Sequence, residues 1–269
     1  MKQHARLALV ILALLNLAAV APPANYDRPL EFRRVDLGAS ASSPGARNEV
    51  RCHYYAAFMV KEIDLREKGA AQLSLLPPGV DGRPDCQRAN AASEQVIPPN
   101  TWEGYFAGAR GDLAVFGASD GVDGGMGFAL FRLGGTTPVY ASTANAAVRF
   151  ETGPAGSVVL RFDRVRRGAC SVAIDGKPCA TSIARAEGIA NLDVAMCRAG
   201  YAAVKRYYAT EACNNARRAD PACIAEKIKA MSTWDQAPSV VAVPVRVELW
   251  PTTVVERPVA DAKACRPAD

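Results

Sequence analysis

Few residues in this 269-residue chain are of the types and spacings that carry chemistry, and most of those argue against it. Gly117-Ala118-Ser119-Asp120-Gly121 fits G-x-S-x-G, the nucleophile elbow, in which a sharp strand-to-helix turn exposes a serine. An apolar run precedes it, as that turn requires. However, Val122-Asp123-Gly124-Gly125-Met126-Gly127 is a poor start for a helix, and no histidine follows the serine to act as its base. A trypsin-like order can be assembled from His53, then Asp64 or Asp81, then Ser119, but nothing around His53 marks a general base. Asp120 and Asp123, set among glycines, offer carboxylates of the kind Ca²⁺ takes in tight loops, without the spacing or the late glutamate of an EF-hand. A plain β-turn, its Asp side chains bonded to their own backbone, accounts for them. Glycoside hydrolysis needs two carboxyls at a fixed separation, and 27 acidic residues nominate no pair.

The cysteines, at 52, 86, 170, 179, 197, 213, 223 and 265, contain no C-x₂₋₄-C pair, and beyond residue 4 the only histidine is His53. Zinc is therefore not expected, nor is any other cofactor. An even count behind an export leader points instead to a disulfide framework. Such a leader is legible at 1–21: Lys2, His4 and Arg6 precede the apolar run 7–15, and Ala19-Val20-Ala21 supplies the small residues of a cleavage site. A membrane span needs about 20 apolar residues, and here Asn16, Pro22 and Pro23 cut the run short. Ala24 is a second cleavage point. Losing Lys2 and Arg6 from the 32 basic side chains leaves 30 against 27 acidic, a formal +3. That balance, with no basic run interleaved with aromatics, excludes nucleic acid as a partner. The clusters Arg164/Arg166/Arg167 and Arg217/Arg218 read as solvated faces or turns.

The elements that must position these residues are mostly strands. Residues 22–48, with four prolines and an Ala/Ser/Gly stretch, read as a flexible tether. Residues 49–61 alternate apolar and polar as one strand, with Val50, Cys52, Tyr54, Ala56, Phe58 and Val60 inward and His53 and Tyr55 towards solvent. After a loop or helical turn at 62–69, a short strand follows at 73–76 and Pro98-Pro99 closes this lobe. Apolar runs at 113–116, 128–133, 139–141, 147–150, 158–162 and 169–174, each closed by turn residues, predict an antiparallel meander, with the Gly-rich turn 119–125 inside it.

From Asn191 the period changes to 3.6, predicting a helix to about Ala209 with a wide apolar face: Leu192, Met196, Ala199, Ala203 and Tyr207, then Cys197, Tyr201, Val204 and Tyr208 beside them. Asp220 and Pro221 start a second helix. The alternating residues 240–249 return to the sheet, with Pro244 implying an edge or a bulge. This arrangement limits the cysteine pairing. Cys170 and Cys179 flank a predicted hairpin, with a loop term of roughly 2.7 kcal/mol, and Cys86 is the near neighbour of Cys52, at about 3.8 kcal/mol. Cys213 and Cys223 sit at the helix connection, leaving Cys197 for Cys265.

The fold expected is mainly β, a sandwich-like antiparallel meander with a disulfide-linked two-helix insertion at about 190–232, or in other terms α+β. It forms a single domain over 49–269. The function expected is that of a non-catalytic binding or structural module, periplasmic or extracellular, with no membrane anchor once the leader is removed. Its partner would be a protein or a carbohydrate, and His53, Tyr55, Asp120 and Asp123 are the candidate contacts. The alternatives are an inhibitor of a secreted enzyme, or a secreted hydrolase using Ser119 or a carboxylate pair near the Gly-rich turn. A fluorophosphonate probe separates the last of these: the folded protein should stay unlabelled, and covalent labelling at Ser119 would establish the hydrolase.

Overall fold

A computed structural model describes residues 25–79, 83–214 and 220–268. The leader at 1–21, Asp81 and the pair Arg217/Arg218 lie outside them. Strands take 41% of the chain and helices 23%, which makes this a β-rich α+β fold. The first sheet is an antiparallel meander in chain order: β1 (Glu31–Ala39), β2 (Arg47–Tyr54), β3 (Met59–Asp64), β4 (Gln72–Leu76) and β5 (Gln95–Ile97). The second runs β13-β12-β11-β9-β8-β7-β6, with β10 (Arg149–Thr152) on β11 and β14 (Ala264–Pro267) on β12. Its members are β6 (Gly104–Arg110), β7 (Leu113–Val122), β8 (Gly125–Arg132), β9 (Tyr140–Ala144), β11 (Val158–Arg167), β12 (Ser239–Leu249) and β13 (Val254–Pro258).

Three apolar clusters stack the layers. Phe58, Val60, Leu73, Leu75 and Ile97 of the first sheet meet Ala109, Ala114, Phe116, Ala129 and Phe131 of the second. The opposite face of the first sheet, with Val50, Cys52, Tyr54, Met59, Ile63 and Leu76, is covered by Cys86 and Ala91 of the long connection to β5. Helices cover the other side of the second sheet, where Leu160, Val241, Val243 and Val245 pack with Val172, Ile183 and Cys197.

Several sequence expectations need correction. Residues 22–48 are not a tether throughout, because 31–39 form β1. This is an edge strand whose Val35 and Leu37 pack inward while its arginines stay outside, so its composition hides it. Residues 49–61 are not one strand but the hairpin of β2 and β3, which turns at Ala56-Ala57 and is closed by the Tyr55 N–H donating to the Phe58 carbonyl at 2.8 Å. The turn contains no Gly, Pro, Asn or Asp, so nothing local announces it. It sends Phe58 and Val60 to the inter-sheet core, opposite Val50 and Cys52, and leaves Ala56 exposed. Residues 62–64, expected in a loop, complete β3. Pro244 marks neither an edge nor a bulge. It sits in interior β12, where the second-side partner changes from β14 to β13, and its carbonyl still accepts from the Val259 N–H at 2.9 Å.

The helical excursion is also larger than two helices. The supposed strand 169–174 contains α1 (Val172–Asp175), and α2 (Lys177–Glu187), α3 (Val194–Cys213) and α4 (Pro221–Ala230) follow it, so the excursion spans 172–236 between β11 and β12. The cap of α3 is Asp193, whose carboxylate accepts the Ala195 N–H at 2.7 Å; Asn191 lies outside the helix. The buried face of α3 is narrow, limited to Cys197, Tyr201 and Ala209, with Tyr207 and Tyr208 exposed. The Tyr201 hydroxyl donates to the Ala237 carbonyl at 2.6 Å and lies 2.9 Å from Ser239 Oγ, which fastens α3 to the start of β12.

Disulfides join Cys52 to Cys86, Cys170 to Cys179, Cys197 to Cys265 and Cys213 to Cys223. These are the pairs that spacing predicts, although Cys170 and Cys179 are joined across a helix start and not a hairpin. Cys197–Cys265 closes the longest loop, 68 residues, and holds β14 against α3. Replacing both by alanine should lower unfolding stability by about 4 kcal/mol, against about 2.7 kcal/mol for the Cys170/Cys179 pair. Chemical denaturation checks the order, and equal losses would contradict it.

Candidate functional site

The residues singled out from sequence do not form one site. His53 is not solvent-facing: its ring lies between Phe32, at 4.7 Å, and Phe106 of β6, at 4.8 Å. Burial, helped by the Arg51 charge, pushes its pKa down to about 4, so it is neutral at physiological pH. Tyr55 shares Phe106 at 6.2 Å and packs on Phe58 at 5.5 Å. Burial and then the Asp27 carboxylate push its hydroxyl up to about 12. These two residues are brought together as part of the seam between the sheets. Asp64 is ion-paired with Arg51 at 2.7 Å and with Arg66 at 3.1 Å, so it does not orient His53. Asp120 pairs with Lys68 on the surface. Asp123, by contrast, lies 3.9 Å from Arg167, and its carbonyl accepts from Arg266. Among the described residues, the one group of three potential metal ligands is Cys170, Asp175 and Cys179, and both sulfurs are consumed in a disulfide.

The Gly-rich stretch nevertheless borders an apolar cleft. The turn itself is short: Asp123 and Gly124 both have positive φ, 50° and 64°, which makes this an Asp-Gly two-residue hairpin of the kind that matches strand twist. Ser119 lies before it in a bulge of β7, where 118–120 stand opposite Gly127 alone. On β6, Ala107 is the extra residue of a second bulge. Between the bulges, Ala107, Val115, Gly117, Met126 and Phe128 form the floor of a cleft of about 550 Å³, with 144–148 as one wall and Tyr26 as the other.

Tyr26 is held there tightly. Its ring occupies the place where any side chain on Gly108 would stand, and Asp27 is fixed by Arg110 at 2.9 Å and by the Gly111 N–H at 2.6 Å. Burial raises the Tyr26 hydroxyl pKa, so it stays protonated. At Gly117 φ is ordinary and a Cβ would meet nothing within 4 Å. Sequence reasoning missed this floor. Its one local signal is a glycine inside a strand pattern, and Tyr26 falls in the segment that reads as a tether.

No family model matches the chain, and neither does any curated protein or solved structure. No helix among the described residues is long and apolar enough to cross a membrane.

His53 carries a pH dependence whose sign is fixed by its lowered pKa. The unfolded chain takes up a proton near the ordinary value of 6.5, and the folded chain only near 4. Stability is therefore fully present above about pH 6.5 and is lost as pH falls towards 4. Glu62, whose carboxyl is raised by burial, acts in the opposite direction as pH falls, so the variant must be compared with its parent. His53→Phe should flatten the loss between pH 7 and 4.5 in denaturant titrations; an unchanged slope would remove His53 as its source.

Proposed function

We propose that the chain is an exported, non-catalytic binding module and that the cleft between the two bulges is its ligand site. The observation that carries this is Gly117. Glycine inside a strand costs about 0.5–1 kcal/mol relative to alanine, yet here neither φ nor packing requires it. It lies on the same face of β7 as Val115, two residues away, so its missing side chain is what keeps the floor open. Glycine at such a position suits the close approach of another molecule. The volume falls within the range of small-molecule sites, about 300–1,000 Å³.

The lining favours binding over catalysis. Tyr26 is the only titratable side chain in it, and it holds its proton. The scarcity of polar groups also favours an apolar ligand over the carbohydrate partner considered from sequence. Export rests on the leader at 1–21 together with four disulfides, which persist in oxidising compartments.

The neutral dye N-phenyl-1-naphthylamine tests the site. Its fluorescence should rise saturably with the parent protein, and Gly117→Leu, which fills the floor, should weaken binding at least about tenfold, the effect of removing a buried apolar contact. The thermal midpoint should hold or rise. Equal binding by both proteins, or none by the parent, would defeat the proposal.

A further inference from the structure

Exposed Ala146 and Ala147 line two depressions at once. On one side is the apolar cleft. On the other is a groove of about 320 Å³ whose charged residues are Arg149, Glu151, Arg161, Asp163 and Lys263. The carboxylates of that groove are already engaged, Glu151 with Arg161 at 2.8 Å and Asp163 with Lys263 at 2.8 Å. Arg149 has no carboxylate within ion-pair distance among the described residues. It stands directly opposite Arg161 in the β10–β11 register. Like charges facing each other across two strands repel; Glu151 answers Arg161, and Arg149 is left as the uncompensated charge of the pair. A guanidinium is also the group best shaped to take a carboxylate or phosphate.

The charged groove and the apolar cleft thus meet at Ala146 and Ala147, which line both. Resting on the cleft being a ligand site, we propose that its ligand is a single-chain amphiphile with an anionic head, of the fatty-carboxylate type. The tail lies along Gly117 and Met126, the chain crosses the Ala146-Ala147 saddle, and the head is held by Arg149. The charge complement decides the class: a neutral apolar molecule would use the cleft and leave Arg149 unanswered, and a cationic amphiphile would be repelled by it.

Titration calorimetry at low salt, below micelle concentrations, with decanoate, 1-decanol and decyltrimethylammonium tests the assignment. Decanoate should bind about tenfold more tightly than decanol, the scale of one charge-assisted contact, and the cationic chain most weakly. Arg149→Ala should erase the advantage of decanoate and leave decanol unchanged, while Gly117→Leu should weaken both. Equal affinity of decanoate and decanol for the parent protein, or an advantage that survives Arg149→Ala, overturns the anionic head and leaves the apolar cleft standing. Absence of binding by all three removes the cleft as a ligand site and this inference with it.

Discussion

Strand β3 has no side that faces water, and the rest of the first sheet is arranged to make that tolerable. All six of its residues are buried, among them Lys61, Glu62 and Asp64. Lys61 points away from the second sheet and meets Glu94 at 2.7 Å, both fully enclosed, with the Ala89 carbonyl and Asn90 Oδ1 completing its donors. Glu62 points the other way, pairs with Arg51 at 2.8 Å and accepts the Phe106 N–H at 2.7 Å, which ties the first sheet to β6. Breaking one partner of such a pair costs about 3–5 kcal/mol, because the other charge stays buried. The connection to β5 is therefore a lid that β3 demands, and Cys52–Cys86 secures it.

The second sheet solves a different problem. Its β11–β12 ladder runs unbroken over ten residue pairs and is sealed by helices, while the β6–β7–β8 end is interrupted by two bulges and left partly uncovered. Regularity at one end and irregularity at the other separate the part of the sheet that supplies stability from the part that can receive a ligand. Bulges shift which residues face the cleft without changing the strand order, and this is how Ala107 comes to lie beside Val115 and Gly117.

The legible parts of this molecule were those with strong local signals. The alternation at 240–249, the Asp-Pro start of α4 and the apolar runs of β7, β8 and β11 all lie in matching elements. The misreadings share one cause, which is tertiary burial overriding local pattern. A turn at Ala56-Ala57 carries no turn residue, so the alternation continued straight through it and assigned Phe58 to the wrong face. In α2, Cys179, Ala180, Ile183 and Ala184 do follow a helical period, but Gly176 and Pro178 just before them resemble a hairpin tip. His53 reads as solvent-facing because it falls on the odd phase of the alternation at 49–61, while the rings that cover it are Phe32, in the segment that reads as a tether, and Phe106, more than 50 residues away. The cleft was invisible for the same reason: its walls come from Tyr26, β6–β8 and 144–148, and only the chain's fold brings these together.

The distribution of crosslinks sets how the molecule responds to tension. One bridge lies within the lobe of the first sheet and three lie within 170–265, so none spans the boundary between the two sheets. That boundary is held by aromatic packing around Phe106 and Phe116 and by the hydrogen bond from Phe106 to Glu62. Covalently that boundary is crossed only by the peptide chain, at 27–31, where Asp27 is fixed on β6 and β1 begins, and at 98–103. The two halves should part there first, each remaining an intact, stapled body.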